Sequence, residues 1–317
     1  MLNQNSMVIT MLCSHLCLGE GVKPLEPREW GALAKELMAK NIQPAELLEY
    51  SVQDFHDILG FSEEQSLRII RLIERGPSLS FEISKYENMG IGIVTRADAA
   101  YPVRLKHVLG NACPPLFYYA GNLELLRGKT IGYVGSRSVS DKDIEITRNF
   151  VSKTCANGFG LVSGGAQGID SIAEEQALSS GSFAIAYLSD SMLRKIKKPA
   201  AIKAIQEGRL LYLSVVKPDS GFNAGIAMMR NKYVYAQSSG TVIIRSDYNK
   251  GGTWSGATDS LKNNYCPTIC WNNKAYPGNK ALIEKGAIPV DESWDGNPEK
   301  LLEIKQEGSG EQMSLFE

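Results

Sequence analysis

From about residue 90 onward the chain is punctuated by short apolar runs: "GIGIVT", "LFYYAG", "TIGYVGS", "GFGLVSGG", "SFAIAYLS", "RLLYLSVV", "GTVIIRS" and "CPTICWN". They are rich in Val, Ile and Tyr, which fit a pleated, buried surface. Stretches with helical spacing separate several of them, over 143–157, 171–179 and 200–207. Continuous apolar strands alternating with helices predict an α/β fold: a Rossmann-like, mostly parallel sheet with helices on both faces. The last strand ends near Asp291.

Residues 1–85 follow a different period. "EPREWGALAKELMAKN" puts Trp30, Leu33, Leu37 and Met38 near one helical face. "SVQDFHDILGFSEEQSLRIIRLIERG" reads as two helices around the turn Leu59-Gly60-Phe61-Ser62, with Ser62 and Gln65 spaced as a helix start. Two readings stay open for this small all-helical domain. One is a helix-hairpin-helix or SAM-like module that offers backbone N–H groups to DNA phosphates. The other is a helical packing or protein-interaction module, since Ser62 stands where such a hairpin has its second glycine. Gly76-Pro77 predicts a helix break. The expected organisation is thus 1–85 helical, 86–300 Rossmann-like, and 301–317 a tail that opens with the flexible spacer "EGSG".

Composition narrows the function classes. Lys plus Arg number 34 and Asp plus Glu 35, a net charge of −1. A chain so balanced is no polycation, so nucleic-acid binding must come from a local basic groove. The N-terminal "MLNQNSMVITMLCSHLCLGEG" lacks a positive leader and reads as a core helix. No run of eighteen apolar residues occurs, so a cytoplasmic protein without a membrane span is expected. Cys13, Cys17, Cys113, Cys155, Cys266 and Cys270 lack zinc-finger spacing, and none of the three histidines lies near Cys266 and Cys270. Reduced thiols are expected, with no metal.

Three glycine-bearing turns follow strands and lead into helices. The first, "YVGSRSVSDKD", carries Gly135, Ser136, Arg137 and Ser140; the second, "LVSGGAQGID", carries Ser163, Gly164, Gly165, Gln167 and Gly168. The third, "RSDYNKGGTWSGA", carries Lys250, Gly251, Gly252, Thr253 and Ser255. In an open parallel sheet such turns sit at the carboxyl ends of the strands, where ligands bind. Bare backbone, helix N-termini, hydroxyl donors and a guanidinium all suit phosphate there. The spacing Gly164-Gly165-Ala166-Gln167-Gly168 is not the dinucleotide G-x-G-x-x-G, and no Walker A loop is present. With every histidine before residue 108, no Ser–His catalytic pair is expected among the turns. Asp170, Glu174, Glu175, Asp247 and Asp259 lie near the loops, as acid–base candidates or as caps and surface charges. No cofactor is expected.

"AAYPVRLKHVLGNACPPLFYYAGNLELL", "IGYVGSRSVS" and "GFGLVSGGAQGIDSIAEEQAL" together resemble the DprA/Smf DNA-processing family, within a Rossmann-like superfamily shared with LOG-type nucleotide hydrolases. The resemblance covers roughly residues 90–291 and includes Arg230-Asn231-Lys232 and the closing "GNKALIEKGAIPV". Departures mark a divergent member: Glu174 replaces a family histidine, and "MLRKIKKPAAI" replaces a Tyr-Pro element. The resemblance implies single-stranded DNA on the glycine-rich edge, a role in recombination, DNA uptake (natural transformation) or repair, a RecA-type recombinase as partner, and a homodimer. It places phosphates at the three turns, with Arg137 foremost and Arg230, Asn231, Lys232 and Lys250 beside it. The cluster Arg194, Lys195, Lys197 and Lys198 either extends the groove or forms a solvated helix face. Tyr233, Tyr248 and Trp254 are candidates for base stacking or for the core. A LOG-type motif would end in glutamate, whereas "KGGTWSGA" does not; the alternative function is a nucleotide-binding sensor or nucleotide-processing enzyme. Gln312, Met313, Ser314, Leu315 and Phe316 resemble the peptide with which bacterial proteins bind the sliding clamp.

Overall fold

The computed structural model describes residues 2–301; the clamp-like peptide at 312–316 lies outside them. The chain opens with α1 (Gln4–Cys13), α2 (Pro27–Ala39), α3 (Val52–Leu59), α4 (Glu63–Glu74) and α5 (Gly76–Asn88). Then follow β1 (Gly92–Thr95), α6 (Val103–Leu109), β2 (Leu116–Gly121), β3 (Thr130–Val134), α7 (Asp141–Ala156), β4 (Gly160–Ser163), α8 (Ile169–Ser179) and β5 (Ala184–Leu188). After α9 (Met192–Lys195), α10 (Pro199–Gln206) and β6 (Leu210–Ser214) come α11 (Ala224–Gln237), β7 (Thr241–Ile243), α12 (Gly251–Asn263), β8 (Thr268–Trp271), α13 (Pro277–Glu284) and β9 (Ile288–Val290).

These elements form two compact units. The first runs up to Leu123 and takes in Ser189–Ile205 and Tyr212–Phe222. Its helices are set by their caps. Ser62 accepts from the Gln65 N–H while Gln65 accepts from the Ser62 N–H, a reciprocal capping box that starts α4. Gly60, at φ 68°, ends α3 in the left-handed region where a side chain is strained. The expected break at Gly76-Pro77 falls between α4, which ends at Glu74, and α5, which begins at Gly76. Pro77 occupies the first turn of α5, where its missing N–H costs nothing, and eleven more helical residues follow it. β1 and β2 pair antiparallel, and α1 packs Val8, Ile9 and Leu12 into the core. Arg194, Lys195, Lys197 and Lys198 belong to this unit.

The second unit comprises Glu124–Leu188, Gln206–Leu211 and the residues from Asn223 on. Its strands run β5-β4-β3-β7-β8-β9. All neighbouring pairs are parallel. Every residue of β3, β4, β5, β7 and β8 is buried, as helices covering both faces require. Right-handed crossovers put α7 and α8 on one face and α12 and α13 on the other, because the strand order reverses direction at β3. That reversal makes the gap between β3 and β7 the topological switch point. Among the described residues no helix is long and apolar enough to cross a membrane, no His, Cys, Asp and Glu cluster suits a metal, and all six cysteines are free thiols.

Candidate nucleic-acid interface

The turns after β4, β3 and β7 stand side by side, because those three strands are adjacent and parallel. The three glycine-bearing turns therefore share one edge.

The first turn leaves β3 at Gly135. Its bare Cα makes room for Ile169: a Cβ there would lie 2.5 Å from Ile169 Cγ1. The Ser136 carbonyl accepts from the Ile169 N–H at 3.3 Å, and the Ser136 hydroxyl accepts from the Ser138 N–H at 3.1 Å. Arg137 is exposed. The Ser140 hydroxyl caps α7: it accepts from the Asp143 N–H at 3.3 Å and donates to Asp143 Oδ2 at 2.9 Å.

The second turn is held by the protein's own charges. Asp170 Oδ2 accepts from the N–H groups of Gly164 at 3.0 Å and Ala166 at 3.3 Å. The Ser163 hydroxyl accepts from the Gly165 N–H at 3.0 Å and donates to Glu174 Oε1. Arg230, 4% exposed, lies 3.8 Å from Asp170. A Cβ on Gly164 would coincide with its guanidinium. The cradle that the sequence suggests for an external phosphate thus holds an internal carboxylate, itself balanced by a buried arginine. Gln167 remains exposed and Gly168 half-buried. Gly168, at φ 83°, touches the first turn so closely that a Cβ would reach Arg137 Cα at 2.7 Å.

The third turn projects from β7. Asn279, fully buried, accepts from the Ser246 N–H at 2.8 Å and donates to the Ile244 and Trp271 carbonyls at 2.9 and 2.8 Å. The closing "GNKALIEKGAIPV" thus anchors this turn. Lys250, Gly251 and Gly252 are exposed and Thr253 is half-buried at the start of α12. Asn231 on α11 donates to the Gly252 carbonyl at 3.0 Å, so its amide serves packing. Half-buried Lys232 lies 5.5 Å from the Tyr233 ring centre. Tyr233 and Trp254 are buried, whereas Tyr248 is exposed.

One cluster was not singled out in the sequence. Asp143, fully buried at the start of α7, accepts from Tyr276 OH at 2.5 Å and from Arg245 Nη1 at 3.2 Å. The Arg245 guanidinium lies 5.1 Å from the Tyr276 ring centre. Burial pushes the Asp143 carboxyl up, but the hydrogen bonds from Ser140, Tyr276 and Arg245 outweigh it and hold the pKa below the ordinary carboxylate value. Burial and the Asp143 carboxylate raise the Tyr276 phenol. Ser140-x-x-Asp143 is legible as a capping box; Arg245 and Tyr276 carry no local signal.

A parallel sheet in dinucleotide-fold order, with three turns side by side on its carboxyl edge, defines a Rossmann-like α/β protein. The sequence profile of the DNA recombination-mediator protein A family matches residues 92–297. The DNA processing protein DprA of Bacillus subtilis is 23% identical over 178 residues, 55% of this chain and 59% of that protein. The Streptococcus pneumoniae DprA is 31% identical over 129 residues, 41% of this chain and 42% of that protein. The matches thus span about half the length of these curated relatives. The X-ray structure of the S. pneumoniae protein superposes with a TM-score of 0.69 at 20% identity, covering 91% of this chain and 95% of that one. A Helicobacter pylori DNA processing protein A, whose structure describes a single-stranded DNA binding mode, superposes at 0.52 and 25% identity over 68% of this chain and 96% of that one. The chain belongs to the DNA recombination-mediator protein A family, the DprA family of DNA-processing proteins.

Proposed function

We propose that the chain binds single-stranded DNA along the carboxyl edge of its parallel sheet and acts as a binding protein rather than a catalyst. The observation that carries this reading is the adjacency of β4, β3 and β7, which lines three turns along one edge. A row of turns suits a polymer backbone better than one small ligand. Arg137 is the main phosphate contact, with Gly135, Ser136, Gln167, Lys232, Lys250, Gly251, Gly252 and Thr253 along the same edge. Ser140, Ser163, Gly164, Gly165, Gly168, Arg230 and Asn231 shape that edge from beneath. At the switch point Asp143 is already hydrogen-bonded to Arg245 and Tyr276, which supports a polymer over a nucleotide. The H. pylori relative's single-stranded DNA binding supports the same ligand. In this reading the protein works in the cytoplasm as a homodimer, delivers the strand to a RecA-type recombinase during DNA uptake or repair, and meets the sliding clamp through Gln312, Met313, Ser314, Leu315 and Phe316.

The test is a titration of labelled oligo-dT with wild type and Arg137→Ala at several salt concentrations. Salt-dependent binding, weakened by the substitution, supports the reading. No binding at low salt, together with thermal stabilisation by a mononucleotide, overturns it in favour of nucleotide sensing.

A further inference from the structure

Tyr248 occupies the tip of the third turn, and the turn is built to hold it still. Residues Asp247 and Lys250 form an antiparallel bridge, which closes a tight loop around Tyr248 and Asn249. Asn249 takes the left-handed conformation at φ 51° that such a loop requires. Below the bridge, Asn279 pins Ser246 and Ile244 through buried hydrogen bonds. Gly278 lies so near the Ser246–Asp247 backbone that a Cβ would strike it. Beside the tip, Trp254 meets the Tyr248 ring at 5.2 Å and 67°. Trp254 is 8% exposed while Tyr248 is 62% exposed. An edge-on contact engages at most one face of the phenol ring, so a buried tryptophan supports an aromatic that is otherwise open to solvent.

We propose that Tyr248 is a stacking platform for a nucleobase of the bound single strand, with Lys250 beside it taking the adjoining phosphate. This rests on the single-stranded DNA reading above and adds base contact to a site otherwise made of phosphate contacts. The occupant follows from the neighbours. An exposed ring two residues from an exposed lysine, next to a helix N-terminus, offers a flat apolar face and positive charge together, the pairing that unstacked nucleotides use. A protein partner would instead favour a wider apolar surface, and Asp247, Asn249, Lys250 and Gly251 around the ring are polar or bare. Stacking tolerates any base, so little sequence preference is expected.

The experiment compares oligo-dT with an abasic oligonucleotide of equal length, titrated with wild type, Tyr248→Ala and Tyr248→Trp. Wild type should bind oligo-dT about tenfold more tightly than the abasic strand. Tyr248→Ala should remove that preference and keep the abasic affinity and its salt dependence, and Tyr248→Trp should restore the preference. Equal preference in wild type and Tyr248→Ala overturns the platform while leaving the phosphate reading intact. So does a parallel loss of affinity for both strands. If wild type binds neither strand at low salt, the DNA reading fails and the platform with it. Circular dichroism melting of each variant separates lost stacking from lost folding.

Discussion

Arg245 Nη1 lies 3.2 Å from Asp143 Oδ2, joining the end of β7 to the start of α7 across the switch point of the sheet. In a dinucleotide-binding fold that helix N-terminus receives a pyrophosphate. Here the chain's own Asp143 carboxylate occupies it.

Asp143→Asn should therefore destabilise the protein by about 3 kcal/mol, since it leaves Arg245 uncompensated and weakens the cap of α7. The effect depends on pH in a definite direction. The folded pKa of Asp143 lies below its unfolded value, so its stabilisation is complete above about pH 4 and is lost as pH falls through the folded value. Urea denaturation of both proteins across the acid range should show their midpoints converging on acidification. Constant separation down to the lowest pH contradicts the assignment.

Gly168 sets where Arg137 stands. Gly168→Ala places a side chain at φ 83° and against the Ser136–Arg137 backbone. Thermal melts should show a loss of about 1–3 kcal/mol. Oligo-dT affinity should also fall at temperatures where the variant is folded, because the first turn must move.

Arg137 and Arg230 should separate a surface phosphate contact from a buried counter-charge. Arg137→Ala should leave the melting temperature nearly unchanged and reduce the slope of log affinity against log salt by about 0.7, one phosphate's worth on a single strand. Arg230→Ala should cost about 3–5 kcal/mol by stranding Asp170, with the salt slope of the folded protein unchanged. A reduced slope in Arg230→Ala would place its guanidinium on the strand instead.

Deletion of residues 312–317 should abolish capture on immobilised sliding clamp while oligo-dT affinity stays at the wild-type value. Retained capture would assign clamp binding to another surface.

The sequence by itself determined the alternation of apolar strands and helices, because buried parallel strands demand unbroken runs of Val, Ile and Tyr. It also determined the helix start at Ser62, since capping is written in residues three apart, and the family, through motifs between Tyr101 and Leu178. The break at Gly76-Pro77 was legible too, since α4 ends at Glu74; that the same pair opens a further helix follows from the proline's place in a first turn. The roles within the turns were decided only by tertiary structure. Asp170, Arg230 and Gly164 meet because α8, α11 and the end of β4 converge. Asn279 pins a turn more than thirty residues earlier. Tyr233, Trp254 and Tyr248 are alike as aromatic letters beside basic residues, and only packing buries two and exposes the third. Periodicity and caps are local properties of a chain; which charge faces solvent and which faces another charge is settled by neighbours distant in sequence.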